Sequence, residues 1–160
     1  MKSPPVLLTA VLALGAASTM SVRPAHAALG ATTASIEPDR ISMKGQLRSR
    51  SGAGYSVEEI ATASGTLVRE YVSPAGVVFA VSWSGPAMPN LQQTFGSYFT
   101  QFQAAVQARR AEQPALHGHN HLEIRTPSLV VHAMGHMRHY FGIAYVPSLL
   151  PTNVSISDLH

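Results

Sequence analysis

The chain has 160 residues, 46% of them apolar, with 11 Lys and Arg against 8 Asp and Glu and no cysteine. The lack of cysteine excludes disulfides, thiol nucleophiles and cysteine-ligated zinc. The near-balanced charge offers no phosphate-tracking surface, so nucleic acid is not expected as a partner. A chain this long buries roughly two-thirds of its unfolded surface, enough for one core held by packing alone.

Lys2, the apolar run Val6 to Ala17 and the closing Ala25-His26-Ala27 make the pattern of a secretory signal peptide cut between Ala27 and Ala28. The run falls short of the roughly 20 apolar residues that span a bilayer, and no later stretch is long enough. The expectation is an exported chain, periplasmic or secreted, with no transmembrane segment after cleavage. Lys2 and Arg23 leave with the signal, which brings 11 basic residues to 9 against 8 acidic ones. The resulting plan is a signal peptide over 1–27, an N-terminal arm with a short helix over 28–52, a single α+β domain over 53–147 and a C-terminal tail over 148–160.

In the arm, Ser35 is placed as the cap of a short helix through Met43, with Glu37 and Pro38 in its first turn and Gly45 ending it. Gln46 to Arg50 reads either as a short strand or as a solvated arm, and Ser51-Gly52-Ala53-Gly54 is a break. An antiparallel meander of three strands follows, over 55–62, 66–72 and 77–84. Tyr55 and Val57 share one face of the first strand, and Ile60 interrupts the alternation, as either a bulge or a short strand would. Ser73-Pro74-Ala75-Gly76 joins the second strand to the third, with Pro pre-set for the second turn position and Gly supplying positive φ. Val77, Phe79, Val81 and Trp83 alternate with Val78, Ala80 and Ser82, which predicts four large side chains on one core-covering face. In the middle strand Leu67 and Tyr71 share a face with Arg69, and Val68 and Val72 share one with Glu70, so one face is expected to be partly wet.

Gly85 to Pro89 ends the meander, because two prolines and a glycine cannot continue a ladder. One long amphipathic helix then starts at Asn90, a good N-cap with Gln93 at capping-box spacing. Leu91, Phe95, Tyr98, Phe99, Phe102, Ala105 and Val106 form its apolar stripe, read as core rather than as a ligand surface. Gln92, Gln93, Gln101, Gln103 and Gln107 take the other side, and Arg109 and Arg110 suit the negative helix end. Pro114 stops the helix. After a loop over Ala115 to Asn120, Leu122 to Arg125 is placed as a short strand. Ser128 to Met134 and Arg138 to Val146 form a C-terminal β-hairpin around Gly135, and a loose polar tail follows Pro147 and Pro151. Strands, one helix, then strands without βαβ alternation predict an α+β fold with the helix across one face of an antiparallel sheet.

Histidine is the compositional oddity, with eight in the chain. His117, His119 and His121 alternate in one stretch, and His132, His136 and His139 lie in the hairpin. Imidazoles two apart in an extended segment project to one side, the arrangement in which paired histidines hold zinc or copper. If Gly135-His136 makes the hairpin turn, His132 and His139 face each other across the strands, with Cβ atoms about 5 Å apart. If Gly135 closes a turn like the one at Gly76, that pairing is lost. Glu123 is the nearby acidic ligand or orienting group. Histidines in loops and turns are also ordinary solvated surface, and no H-E-x-x-H pattern is present. These six histidines are candidate metal ligands, and no cofactor and no catalytic residue is assigned. There is no G-x-S-x-G elbow, P-loop or dinucleotide fingerprint. Glu58 and Glu59 are adjacent and point to opposite faces of a strand, which separates them as an acid–base pair. Asn153-Val154-Ser155 matches a glycosylation acceptor pattern.

Several stretches together resemble a family of small exported bacterial proteins, domain of unknown function 2844. They are AHAALG (Ala25 to Gly30), GYSVEEI (Gly54 to Ile60), VREYVSPAGVVFAVSWSGP (Val68 to Pro86), TFGSYF (Thr94 to Phe99), GHMR (Gly135 to Arg138) and AYVPSLLP (Ala144 to Pro151). The resemblance implies Gram-negative export and one compact domain, and it brings no activity, cofactor or catalytic residue with it. His117-Gly-His119 falls in a loop that the resemblance implies is variable. The expected function is a non-enzymatic protein that binds another protein or a cell-surface component of the envelope. The alternative is a histidine-based metal-binding protein or metal-dependent enzyme, which requires three imidazoles, or two plus Glu123, to converge on one point. A third reading is a small-molecule site on the face around Trp83 and Tyr71.

Overall fold

Among the residues described by the computed structural model, 29–112 and 121–159, seven strands pair into one antiparallel sheet. They are β1 (Gln46–Ser51), β2 (Ser56–Ala61), β3 (Leu67–Val72), β4 (Val78–Gly85), β5 (His121–Arg125), β6 (Val130–His136) and β7 (His139–Tyr145). Their order is β1-β2-β3-β4-β7-β6-β5, so the chain meanders to the centre, crosses to the far edge and meanders back. The helices are α1 (Ile36–Ser42), α2 (Leu91–Phe95) and α3 (Phe99–Glu112). The α+β class expected from sequence therefore holds, but the three-strand meander and single hairpin understate the sheet. Gln46 to Arg50 is a strand and not a solvated arm, and β5 closes the opposite edge. No helix among the described residues is long and apolar enough to cross a membrane.

The sheet has two unequal faces. On one, Val68, Val81, Trp83, Ala144, Val131 and Ile124 meet Ile36, Phe95 and Phe102 of the helices in the main core. On the other, Tyr71, Phe79 and Ala80 are covered by Val154 and Leu159, so the segment after β7 is packed and not loose. The predicted single face of Val77, Phe79, Val81 and Trp83 is overturned by a bulge. Tyr71 pairs with Ala80 and Val72 with Val78, which leaves Phe79 as the extra residue and turns it to the face opposite Val81 and Trp83. Trp83 and Tyr71 thus lie in separate cores, and they share no face for a small molecule. Glu70 lies on a strand for which one face was expected to be partly wet, and it is buried.

The helix from Asn90 is capped as predicted, its side chain accepting from the Gln92 and Gln93 amides at 3.1 and 3.3 Å. It is not continuous: Gly96, at φ +49°, and a 3₁₀ turn over Gly96–Tyr98 break it. The break lets α3 take its own direction, and Leu91, Phe95, Tyr98, Phe99, Phe102, Ala105 and Val106 all pack on the main core. Gln93 is no capping-box partner; its amide donates to Asp39 Oδ1 at 2.6 Å and accepts from Ser42 Oγ, tying α2 to α1. Ser35 does not cap α1 with its side chain, and Lys44 rather than Gly45 takes positive φ after it. Thr32 bridges to Val77 and the Ala31 carbonyl accepts from the Val78 amide, which stitches the N-terminal segment to the start of β4.

Candidate metal centre

Strands β5 and β6 place their chemistry by placing their core. Leu122 and Ile124 turn toward the helices, so His121, Glu123 and Arg125 point to the opposite face. In the same way Val131 and Ala133 turn inward, and His132, Met134 and His136 turn outward. The register pairs Glu123 with His132 and His121 with Met134. One imidazole nitrogen from each of His121 and His132 and one Glu123 oxygen then lie within 4.8 Å of one another. Two imidazoles and a carboxylate at that spacing are a ligand set for a divalent first-row metal ion, and the remaining positions face solvent.

Arg125 sets the electrostatics. Its Nε donates to Glu123 Oε1 at 2.6 Å, and its Nη2 lies 3.5 Å from His132 Nε2. That hydrogen bond is the main cause that holds the Glu123 carboxyl below the usual carboxylate range, so the group is ionised and ready to ligate. The guanidinium is also a competing cation. Its side chain is 62% exposed, so it is able to withdraw, or to stay on one oxygen and orient the other. Arg109, expected only to suit the end of α3, donates from Nη1 to the Glu123 carbonyl and fixes this strand against the helix.

The hairpin turn falls at Met137 and Arg138, with Arg138 at φ +63°, because inward Val131 and Ala133 must meet inward Ala144 and Gly142. Neither Gly135 turn is formed. His132 therefore faces Ile143, and His136 faces His139, their rings stacked at 5.7 Å. His121, His132, His136 and His139, the four histidines among the described residues, all lie on this one face. His117, His119 and the expected cleavage pair Ala27 and Ala28 fall outside the described residues.

The family described as Protein of unknown function (DUF2844) matches residues 25–159. The chain belongs to it. No curated protein and no solved structure matches the chain. In this DUF2844 protein the described stretches that carry the resemblance fall on β2, β3, β4, the break between α2 and α3, the β6–β7 turn, and the end of β7 with the segment after it, whereas His121, Glu123 and His132 lie outside them.

A second cluster went unnoticed in the sequence. Asp39 of α1 and Glu70 of β3 meet beneath the helices, 0% and 2% exposed. Burial, and then the Asp39 carboxyl beside it, push Glu70 up to about 8. At neutral pH Glu70 is a neutral acid able to donate to Asp39, which also accepts from Gln93. A perturbed carboxyl often marks an active site, but this one is closed to solvent and joins α1, α2 and the sheet. Glu70 shares its strand face with Val68 and Val72, but that spacing alone does not mark it as buried.

Proposed function

We propose that this DUF2844 protein binds a divalent transition-metal ion through His121, Glu123 and His132. The supporting observation is the convergence of two imidazoles and a carboxylate within 4.8 Å. Metal ions prefer nitrogen and oxygen donors in this number and leave open positions when only three come from the protein. The test is a thermal melt of the purified protein with EDTA and with graded Zn²⁺, Ni²⁺ and Cu²⁺. The midpoint should rise with the logarithm of metal excess, and His132→Ala should abolish the rise. A flat response, or an equal rise in His132→Ala, would overturn the reading.

A second reading is a non-enzymatic interaction domain for a protein or surface component of the cell envelope, in an exported chain. Its support is that Met134, Met137 and Phe141 are exposed together at the β6–β7 end, an apolar patch beside the histidines. Met137→Ser with Phe141→Ser should then abolish capture of an envelope component while leaving the melt unchanged.

A further inference from the structure

Met134 belongs to neither core. It projects on the open face of β6, 45% exposed, between His121 opposite it on β5 and Phe141 opposite it on β7. Cross-strand partners have Cβ atoms about 5 Å apart, and the methionine sulfur lies two flexible bonds beyond Cβ. His132 lies two residues along the same strand and on the same face. The thioether is thus within reach of the point where the two imidazoles converge.

Resting on the metal reading above, we propose that the ion this site is built for is copper, and that Met134 supplies a thioether ligand to the cuprous form. The donor set offers two chemistries on one pair of imidazoles. Glu123 is a hard oxygen donor, suited to cupric ion and to zinc. Met134 is a soft sulfur donor, which favours cuprous ion and contributes little to zinc. The chain has no cysteine, so no thiolate competes for the soft ion. Arg125, already bonded to Glu123, is placed to hold the carboxylate back when sulfur ligates. Met137, at the turn and 89% exposed, lies off the β5–β6 pair and serves as the control methionine.

The experiment is a set of parallel titrations of the full purified chain. Cuprous affinity is measured anaerobically with ascorbate against a chromophoric Cu⁺ chelator, and Zn²⁺ and Cu²⁺ affinities by calorimetry. Met134→Leu keeps volume and exposure, and the fluorescence of the single tryptophan, Trp83, reports that the fold is intact. Met134→Leu should lose cuprous affinity by at least the roughly tenfold that even an outer-sphere partner is worth to a metal site, with Zn²⁺ and Cu²⁺ unchanged. Glu123→Gln should do the reverse, and Met137→Leu should change nothing. Unchanged cuprous affinity in Met134→Leu, or an equal loss in Met137→Leu, would overturn this inference while Zn²⁺ binding lost in His132→Ala kept the site itself. No binding of any of the three ions to the wild-type chain would overturn both.

Discussion

Glu70 lies beside Asp39 under the helices and keeps its proton up to about pH 8, against an ordinary value of 4.5. The folded chain therefore binds this proton more tightly than the unfolded chain does. The stabilisation it gives is full below about pH 4.5, declines as pH rises and is lost once pH passes about 8. We expect the melting midpoint to fall across that window. Glu70→Gln keeps the shape and a donor for Asp39 but cannot ionise, so it should flatten the dependence and melt higher than wild type at pH 8.5, about a few kcal/mol more stable. An unflattened profile would show that Glu70 does not carry the proton. Nothing in the spacing of residues 68–72 distinguishes a buried acid from a surface one. What decides it is the packing of α1 and α2 over β3, which brings Asp39 from 31 positions away in the chain.

At the scale of elements, the β4–β7 pairing includes one close approach, of Trp83 to Gly142. An added Cβ on Gly142 would lie 2.4 Å from Trp83 Cζ2, so the indole occupies the space that any side chain there would need. Gly142→Ala should cost about 1–3 kcal/mol, the usual penalty for overpacking, and should shift the emission of Trp83. Urea unfolding followed by that fluorescence checks both. Most strands were legible because turn chemistry and β-branched runs are local: Ser73 to Gly76 makes the predicted turn, with Gly76 at φ +75°. The face assignments were not. A single extra residue at Phe79 reverses which side chains meet the core, and bulges answer to the partner strand rather than to composition. The same logic moved the second hairpin turn from Gly135 to Met137-Arg138, where Arg138 takes the left-handed conformation that the register requires.

At the scale of the molecule, the segment after β7 is a structural lid. Val154 and Leu159 bury on Tyr71 and Phe79, and the Tyr55 hydroxyl donates to the Asp158 carbonyl at 3.4 Å. Truncation after Pro151 should cost about 3–6 kcal/mol, from two apolar side chains at about 1.5–3 kcal/mol each, and should expose aromatic surface to a hydrophobic dye. An unchanged urea midpoint would show that the lid is dispensable. The sequence by itself determined the α+β class, the capped start at Asn90, the apolar helix stripe as core and the candidate histidines, because each rests on neighbours a few residues apart. Only the tertiary structure decided which histidines meet. His121 and Glu123 are joined to His132 by strand register, and His136 is sent to His139 by the turn the core demands. Convergence of side chains from different strands depends on which face each strand buries, and that is fixed by contacts with α1, α2 and α3 rather than by local spacing.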